Sequence, residues 1–312
     1  MGSWQAIGGL GAGRSATVII VTLLAILLAF GCAPERPPRP PSGEVIVAAG
    51  DIANCSSEGD EETARLVGDI DGATVLTLGD NAYPDGTTED FRECYEPTWG
   101  QLKERTRPTP GNHEYETEGA RGYFDYFGEA AGDPEEGYYS YDLGSWHIVA
   151  LNSNCGEGEI RCGPGSAQTK WLKEDLAANA DEEGRCTLAY MHHPRFSSGE
   201  EHGSTPKLEP LWEALYEAGA DVVLSGHEHN YERFSPQEPN GKADPQRGIR
   251  EFVVGSGGKK HYPILEPIAN SEVHNDSSYG VLKLTLHPHS YEWQFVPVEG
   301  ETFTDSGSAQ CH

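Results

Sequence analysis

Ala73-Thr74-Val75-Leu76-Thr77-Leu78-Gly79-Asp80-Asn81-Ala82-Tyr83-Pro84-Asp85-Gly86 is the stretch on which the fold turns. Its first six residues are short, apolar and β-branched, without alternation, which is the signature of a strand buried on both faces. The run stops at Gly79-Asp80. In open α/β sheets the carboxyl ends of the strands are where ligands bind. An Asp after one strand is most simply a turn former or a helix cap. Here four further strand ends carry side chains of the same chemistry. Glu44 to Ala49 ends at Gly50-Asp51, and Arg107-Pro108-Thr109-Pro110 delivers Gly111-Asn112-His113-Glu114. Cys186 to Met191 ends at His192-His193-Pro194, and Asp221 to Leu224 ends at Ser225-Gly226-His227-Glu228-His229. Carboxylate, amide oxygen and imidazole all bind hard or borderline metals.

Around these strands the pattern alternates. Helices are expected over Asp60 to Val67, in short pieces over Thr88 to Leu102, and over Gly119 to Phe127, Ser166 to Asn179 and Leu208 to Ala218. Tyr138 to Leu143 and Trp146 to Leu151 read as a hairpin about Gly144-Ser145. The last third is mainly β: Phe252 to Val254, Tyr279 to Leu286 and Tyr291 to Val296. Such an order predicts two packed sheets with helices outside, an α/β (α+β) protein. Gly255-Ser256-Gly257-Gly258 is superficially like a phosphate loop. No Lys-Ser/Thr pair on a helix follows it, so a turn is expected there.

The bulk composition narrows the partners. The chain has 312 residues and a formal net charge of −28. A polyanion such as nucleic acid would be repelled, and no basic stripe is present to hold one. An anionic substrate would need a strongly positive local centre, which bound metal ions supply. Thr17 to Phe30 is almost wholly apolar and short for a membrane span. With Leu28-Ala29-Phe30-Gly31-Cys32 it resembles a bacterial lipobox. Residues 1–32 are therefore expected to be a signal peptide ending at a lipid-bearing Cys32. Residues 33–43 are a Pro-rich linker, extended and stiff. Residues 44–312 are the folded domain. The expected location is the cell surface or the extracytoplasmic face of a membrane. Setting Cys32 aside leaves an even set of six cysteines, as in an exported disulfide framework. The pairing expected here is Cys55–Cys94, Cys155–Cys162 and Cys186–Cys311. A cysteine zinc site would require a Cys-x-x-Cys spacing, which the sequence lacks.

Taken together, Gly50-Asp51, Gly79-Asp80-Asn81-Ala82-Tyr83, Gly111-Asn112-His113-Glu114, His192 and Gly226-His227-Glu228-His229 resemble the ordered motif set of calcineurin-like metallophosphoesterases. Within that superfamily the chain is most similar to compact, single-domain purple acid phosphatases. Two details carry the narrower likeness. Ala53 stands where most of the superfamily has a ligating His, and Tyr83 follows Asp80 by three residues, where those phosphatases have a phenolate.

The resemblance implies a four-layer αββα sandwich of two mixed β-sheets. It implies one metal held by Asp51, Asp80, Tyr83 and His229, and a second by Asp80, Asn112, His192 and His227, with Asp80 bridging. A hard phenolate implies Fe(III) at the Tyr83 site, with Fe, Zn or Mn at the other. The implied reaction is hydrolysis of a phosphate monoester on a small phosphorylated substrate, by attack of a metal-bound hydroxide. His113 and His202 are the implied catalytic histidines near the leaving group. The alternatives are a phosphodiesterase using the same site and a catalytically inactive surface module. His193 competes with its neighbour His192 as a ligand. His147, inside a strand, reads as a hydrogen-bonded core histidine. Arg195 is a lesser candidate for touching substrate.

Overall fold

The computed structural model describes residues 43–56, 59–180 and 185–312. The signal segment, Cys32 and nearly all of the Pro-rich linker lie outside the described residues. In chain order the elements are β1 (Glu44–Ala49), α1 (Gly59–Gly68), β2 (Thr74–Leu78), α2 (Thr88–Asp90), β3 (Thr106–Thr109), α3 (Asn112–Tyr115), α4 (Arg121–Phe127), β4 (Tyr139–Leu143) and β5 (Trp146–Ala150). They continue with α5 (Ala167–Asn179), β6 (Thr187–Tyr190), α6 (Glu209–Glu217), β7 (Val222–Ser225), β8 (Tyr231–Phe234), β9 (Arg250–Val254), β10 (Ser271–Asn275), β11 (Gly280–His287), β12 (Ser290–Pro297) and β13 (Ser306–Gln310).

The strands form two mixed sheets. One has six strands in the order β13-β12-β11-β1-β2-β3, and the other seven in the order β10-β8-β9-β7-β6-β5-β4. β1, β2 and β3 run parallel. So do β5, β6, β7 and β9. The expected pair of packed sheets is therefore present. Successive residues of the second sheet go to different places. Ile148, Leu188, Leu224 and Phe252 belong to the core shared by the two sheets. Val149, Ala189, Val223 and Val253 pack instead with Leu172 and Leu176 of α5 and Leu211, Trp212 and Leu215 of α6. A strand covered on both faces reads as an unbroken apolar run, because neither face is left to water. Each fully buried Val or Leu here contributes about 1.5–3 kcal/mol of transfer free energy.

Rings seal the space between the sheets. Tyr231 meets Phe295 at 4.7 Å between centroids, and Trp146 meets Tyr291 at 5.8 Å. All three expected disulfides form: Cys55–Cys94, Cys155–Cys162 and Cys186–Cys311. Three strands lie outside those expected from the sequence: β8, β10 and β13, each in the edge region of a sheet.

Candidate metal centre

The site lies where the carboxyl ends of the two parallel strand sets meet. The loops after β1 and β2 go on pairing beyond the strands. Asp51 donates its N–H to the Gly79 carbonyl (3.1 Å), Ile52 to Asp80 (2.9 Å) and Ala53 to Asn81 (3.0 Å). This sets Asp51 and Asp80 side by side. Within the second sheet, Gly226 donates to the His192 carbonyl (2.8 Å), and across the seam Gly50 donates to the Val254 carbonyl (2.8 Å). Asp51, Asp80 and His227 all adopt left-handed backbone, with φ of 59°, 50° and 71°. That conformation costs a non-glycine residue about 1–2 kcal/mol, and such strain gathers at functional sites. Gly79 allows the close approach of the second sheet. A Cβ there would lie 2.6 Å from the His192 side chain.

The two oxygens of Asp80 face different groups. Oδ2 lies 3.1 Å from the Tyr83 hydroxyl, which is itself 3.1 Å from Asp51 Oδ1 and 3.2 Å from His229 Nε2. Oδ1 lies 3.4 Å from His192 Nε2, which is 3.0 Å from Asn112 Oδ1 and 3.1 Å from His227 Nδ1. The structure thus gathers all seven ligand candidates into two adjoining clusters that share Asp80. Asp51, Asp80 and His192 meet closely enough to hold a metal ion.

The tautomers follow from carbonyl partners, which only accept. His192 Nδ1 lies 2.8 Å from the Leu78 carbonyl and His229 Nδ1 2.7 Å from the Lys260 carbonyl. Each Nδ1 therefore carries a proton. His229 turns an Nε2 lone pair inward, as in a ligating histidine. Against the effect of burial, Asp80 raises His192 to about 9, so His192 would give up its Nε2 proton on ligating a cation. Burial pushes His229 down to about 3 and His227 well below its ordinary range, so both stay neutral.

The donor set fits a cation. Tyr83 has one hydroxyl proton and three acceptors around its oxygen, and in the second cluster the single Nε2 proton of His192 lies among Asp80 Oδ1, Asn112 Oδ1 and His227 Nδ1. Burial pushes Asp51 up to about 8, with His192 opposing and the charge of Asp80 adding. Burial also opposes the ionisation of Asp80, yet His192 holds it well below the usual carboxylate range. Burial lifts the Tyr83 phenol far above its ordinary value, and Asp80 and Asp51 add to that. Two buried carboxylates this close ionise together only beside compensating positive charge.

His113 and His202 stand at the mouth. His113 Nδ1 lies 2.5 Å from the Pro84 carbonyl, so it donates there, and Nε2 is 3.9 Å from Asp80 Oδ2. The His202 ring stacks on His227 at 4.1 Å, and burial pushes its imidazole down. His193 is held by Ser153, whose hydroxyl lies 2.9 Å from its Nδ1, and its ring packs on His227 at 4.3 Å. It also falls in a close group with His192 and His227. His147 is buried, 2.7 Å from Asp175. Arg195 points elsewhere, to the Pro239 carbonyl and Glu209.

Other residues shape the site without being ligand candidates. Glu114 is fully buried and accepts N–H bonds from Asp80, Asn81, Ala82 and Gly111. Asn152, Ser153 and Asn154 follow β5 and brace the β3 end, with Asn154 donating to the Pro110 carbonyl at 3.0 Å. A polar triplet after an apolar parallel strand was the available clue. Tyr262 stacks on His229 at 3.9 Å.

A model of the calcineurin-like phosphoesterase family matches residues 38–231 of the chain. Purple acid phosphatase 15 of Arabidopsis thaliana is 30% identical over 225 residues, covering 62% of this chain and 41% of that protein. A nucleotide pyrophosphatase/phosphodiesterase of Hordeum vulgare is 27% identical over 307 residues, covering 82% of this chain and 80% of that protein. A purple acid phosphatase from yellow lupin (Lupinus luteus) seeds has a similar fold, with a TM-score of 0.67 at 20% identity, covering 88% of this chain and 55% of that one. The chain spans about half the length of the purple acid phosphatases it matches.

Proposed function

The chain belongs to the calcineurin-like phosphoesterase family, and from that premise we propose that it is a two-metal phosphatase acting on monoesters of small molecules. The observation that carries this is the placement of the two oxygens of Asp80 toward two separate donor clusters. Asp51, Tyr83, His229 and Asp80 would hold one ion. Asn112, His192, His227 and Asp80 would hold the other. A phenolate oxygen is a hard anionic donor and favours a trivalent ion, so we assign Fe(III) to the Tyr83 side and Fe, Zn or Mn to the other. Such a pair supplies Lewis-acid polarisation of the phosphate and a hydroxide nucleophile near neutral pH.

The chain's own groups do the rest. Asn112 is a neutral ligand, which leaves its side of the site less compensated and more attractive to an anionic ester. His113, with Nδ1–H tied to the Pro84 carbonyl, presents Nε2 to the mouth, where in the imidazolium form that atom can donate to an ester oxygen. His202 stacks above His227 and is the acid for the leaving oxygen. Three disulfides support export to an oxidising compartment. Lipid attachment at Cys32 belongs to the same reading, and Cys32→Ser would release the protein from the membrane fraction. Diester hydrolysis is the second reading, supported by the Hordeum vulgare relative.

The test is metal analysis joined to turnover. Two ions per chain with faster hydrolysis of an aryl monoester than of an aryl diester is the expected result. Faster diester turnover would reverse the substrate assignment. Far less than two ions, with no turnover after reconstitution, would favour a non-catalytic module instead.

A further inference from the structure

Gly255-Ser256-Gly257-Gly258 is not followed by a helix-borne lysine, and no helix follows it in the structure. It lies flat against the end of β1. Gly257 donates to the Gly50 carbonyl at 3.0 Å, and Lys259 donates its backbone N–H to the Asp51 carbonyl at 2.8 Å. A Cβ at Gly258 would stand 2.5 Å from the Ile52 carbonyl oxygen, so a side chain there would push the turn away. The contact fixes the backbone of Lys259 directly beside a candidate ligand. Its ammonium rests over the Tyr83 ring, 3.9 Å from the centroid, and the residue is only half-buried.

Apart from that ring contact, no partner among the described residues holds this cation in place. It senses Asp80 and Asp51 electrostatically and forms no ion pair among the described residues. Lys260, next in the chain, is exposed, whereas Arg195 and Lys207 are engaged. Arg195 donates to the Pro239 carbonyl at 2.9 Å, and Lys207 donates to the Cys155 carbonyl at 3.0 Å. The chain as a whole carries −28. A net charge of that size repels a dianion more than a monoanion, and a local cation reverses the difference where it matters. A partly exposed ammonium over an aromatic face is weakly held. A charge-assisted bond to a phosphate oxygen is stronger.

We propose that Lys259 is a phosphate-binding and specificity residue, whose ammonium meets a non-bridging oxygen of a dianionic monoester and selects it over a monoanionic diester. This rests on the metallophosphatase reading of the site. The ammonium leaves the Tyr83 face for the substrate, while the Gly255–Gly258 turn keeps its backbone in place.

The test uses the full chain loaded with metal, as wild type, Lys259→Gln and Lys259→Arg. The measurements are inhibition by inorganic phosphate, KM and kcat for an aryl monoester and an aryl diester, and metal per chain. Lys259→Gln is expected to weaken phosphate inhibition and raise monoester KM by about tenfold or more, the scale of one charged hydrogen bond. Monoester kcat and diester KM should stay within about threefold on the same scale, and Lys259→Arg should restore most of the loss. Phosphate inhibition and monoester KM unchanged within about twofold would overturn the proposal. So would an equal rise for both esters, or loss of metal in Lys259→Gln, which would make Lys259 a support for Tyr83. A wild type that binds two metals and hydrolyses neither ester overturns the parent reading instead. Calorimetric binding of inorganic phosphate to the same three proteins then still decides the role of Lys259.

Discussion

Replacing Glu114 by glutamine leaves the volume alone and changes one oxygen into an amide nitrogen. Glu114 Oε1 accepts from Asn81 N (2.8 Å) and Ala82 N (3.2 Å), and Oε2 accepts from Asp80 N (3.0 Å) and Gly111 N (2.7 Å). Either way the glutamine amide is turned, its NH2 faces two backbone donors. The side chain is fully buried, so no water can serve them. A buried donor left unpaired costs about 1–3 kcal/mol, so two cost about 2–6 kcal/mol. That is a large part of the roughly 5–15 kcal/mol that holds a domain folded. The loss falls on a turn already strained by the left-handed backbone of Asp80. Glu114→Gln should therefore lower unfolding free energy in urea by about 2–6 kcal/mol. It should also lose bound metal, because Asp80 is the shared side chain of both clusters. Tryptophan fluorescence during urea titration and metal analysis of the folded protein would measure the two effects. A variant within about 0.5 kcal/mol of wild type, holding its full metal complement, would refute the reasoning.

Tyr83→Phe should abolish a visible charge-transfer band of the iron-loaded protein while leaving the fold intact. A band that survives would remove Tyr83 from the ligand set. His202→Ala should slow hydrolysis of alkyl phosphates by about 10²–10⁴ but nitrophenyl phosphate far less, since only a poor leaving group needs the proton. Equal losses on both substrates would take that role from His202. Joint replacement of Cys186 and Cys311 by serine opens a span of 125 residues and should cost about 3–5 kcal/mol in thermal or urea unfolding. Burial pushes Glu251 up to about 8 against the amide donors Arg195 and Phe196. A carboxyl raised on folding contributes stability that is full below its unfolded value, near 4.5, and is lost as pH rises toward about 8. Glu251→Gln, which imitates the neutral acid, should flatten that decline; an unchanged slope between those limits would sink the assignment.

The part of the site that could be read from sequence is the part carried by strand ends. An apolar run that halts at Gly79-Asp80 or Gly226-His227 marks both the strand and the point where its ligand leaves the sheet. Parallel strands share one edge, so such ends converge wherever the strands pair. β8 escaped because its core carries Glu232 and Arg233. Both are buried, one bonded to Ser198 and the other to Asp305, so charged letters hid a strand. β13, Ser306–Gln310, has little intrinsic preference for a strand and exists through its ladder with β12. Lys259 was not legible because its approach to Tyr83 depends on how the turn after β9 seats on β1, a contact that spans some two hundred residues of chain.

Acidity illustrates the limit more sharply. The chain has 50 aspartates and glutamates, so a carboxylate near a ligand motif is weak evidence. The structure sorts the buried ones by what they face. Glu114, Glu228, Glu232 and Glu251 accept from backbone N–H groups of loops around the site. Glu251 takes Arg195 and Phe196, Glu232 takes Ser198, and Glu228 takes His202 and Gly203. In sequence order these three carboxylates fasten one loop, and that loop carries His202. Among the described residues, only Asp51 and Asp80 turn buried carboxylate oxygens toward the gathered imidazoles and phenol. A carboxylate whose oxygens bind only amides needs no cation, whereas Asp51 and Asp80, each with one backbone N–H, from His227 and His113 respectively, also press against imidazoles and the phenol. That difference separates ligand from scaffold here, and it is a property of what surrounds each oxygen and not of residue type or motif position.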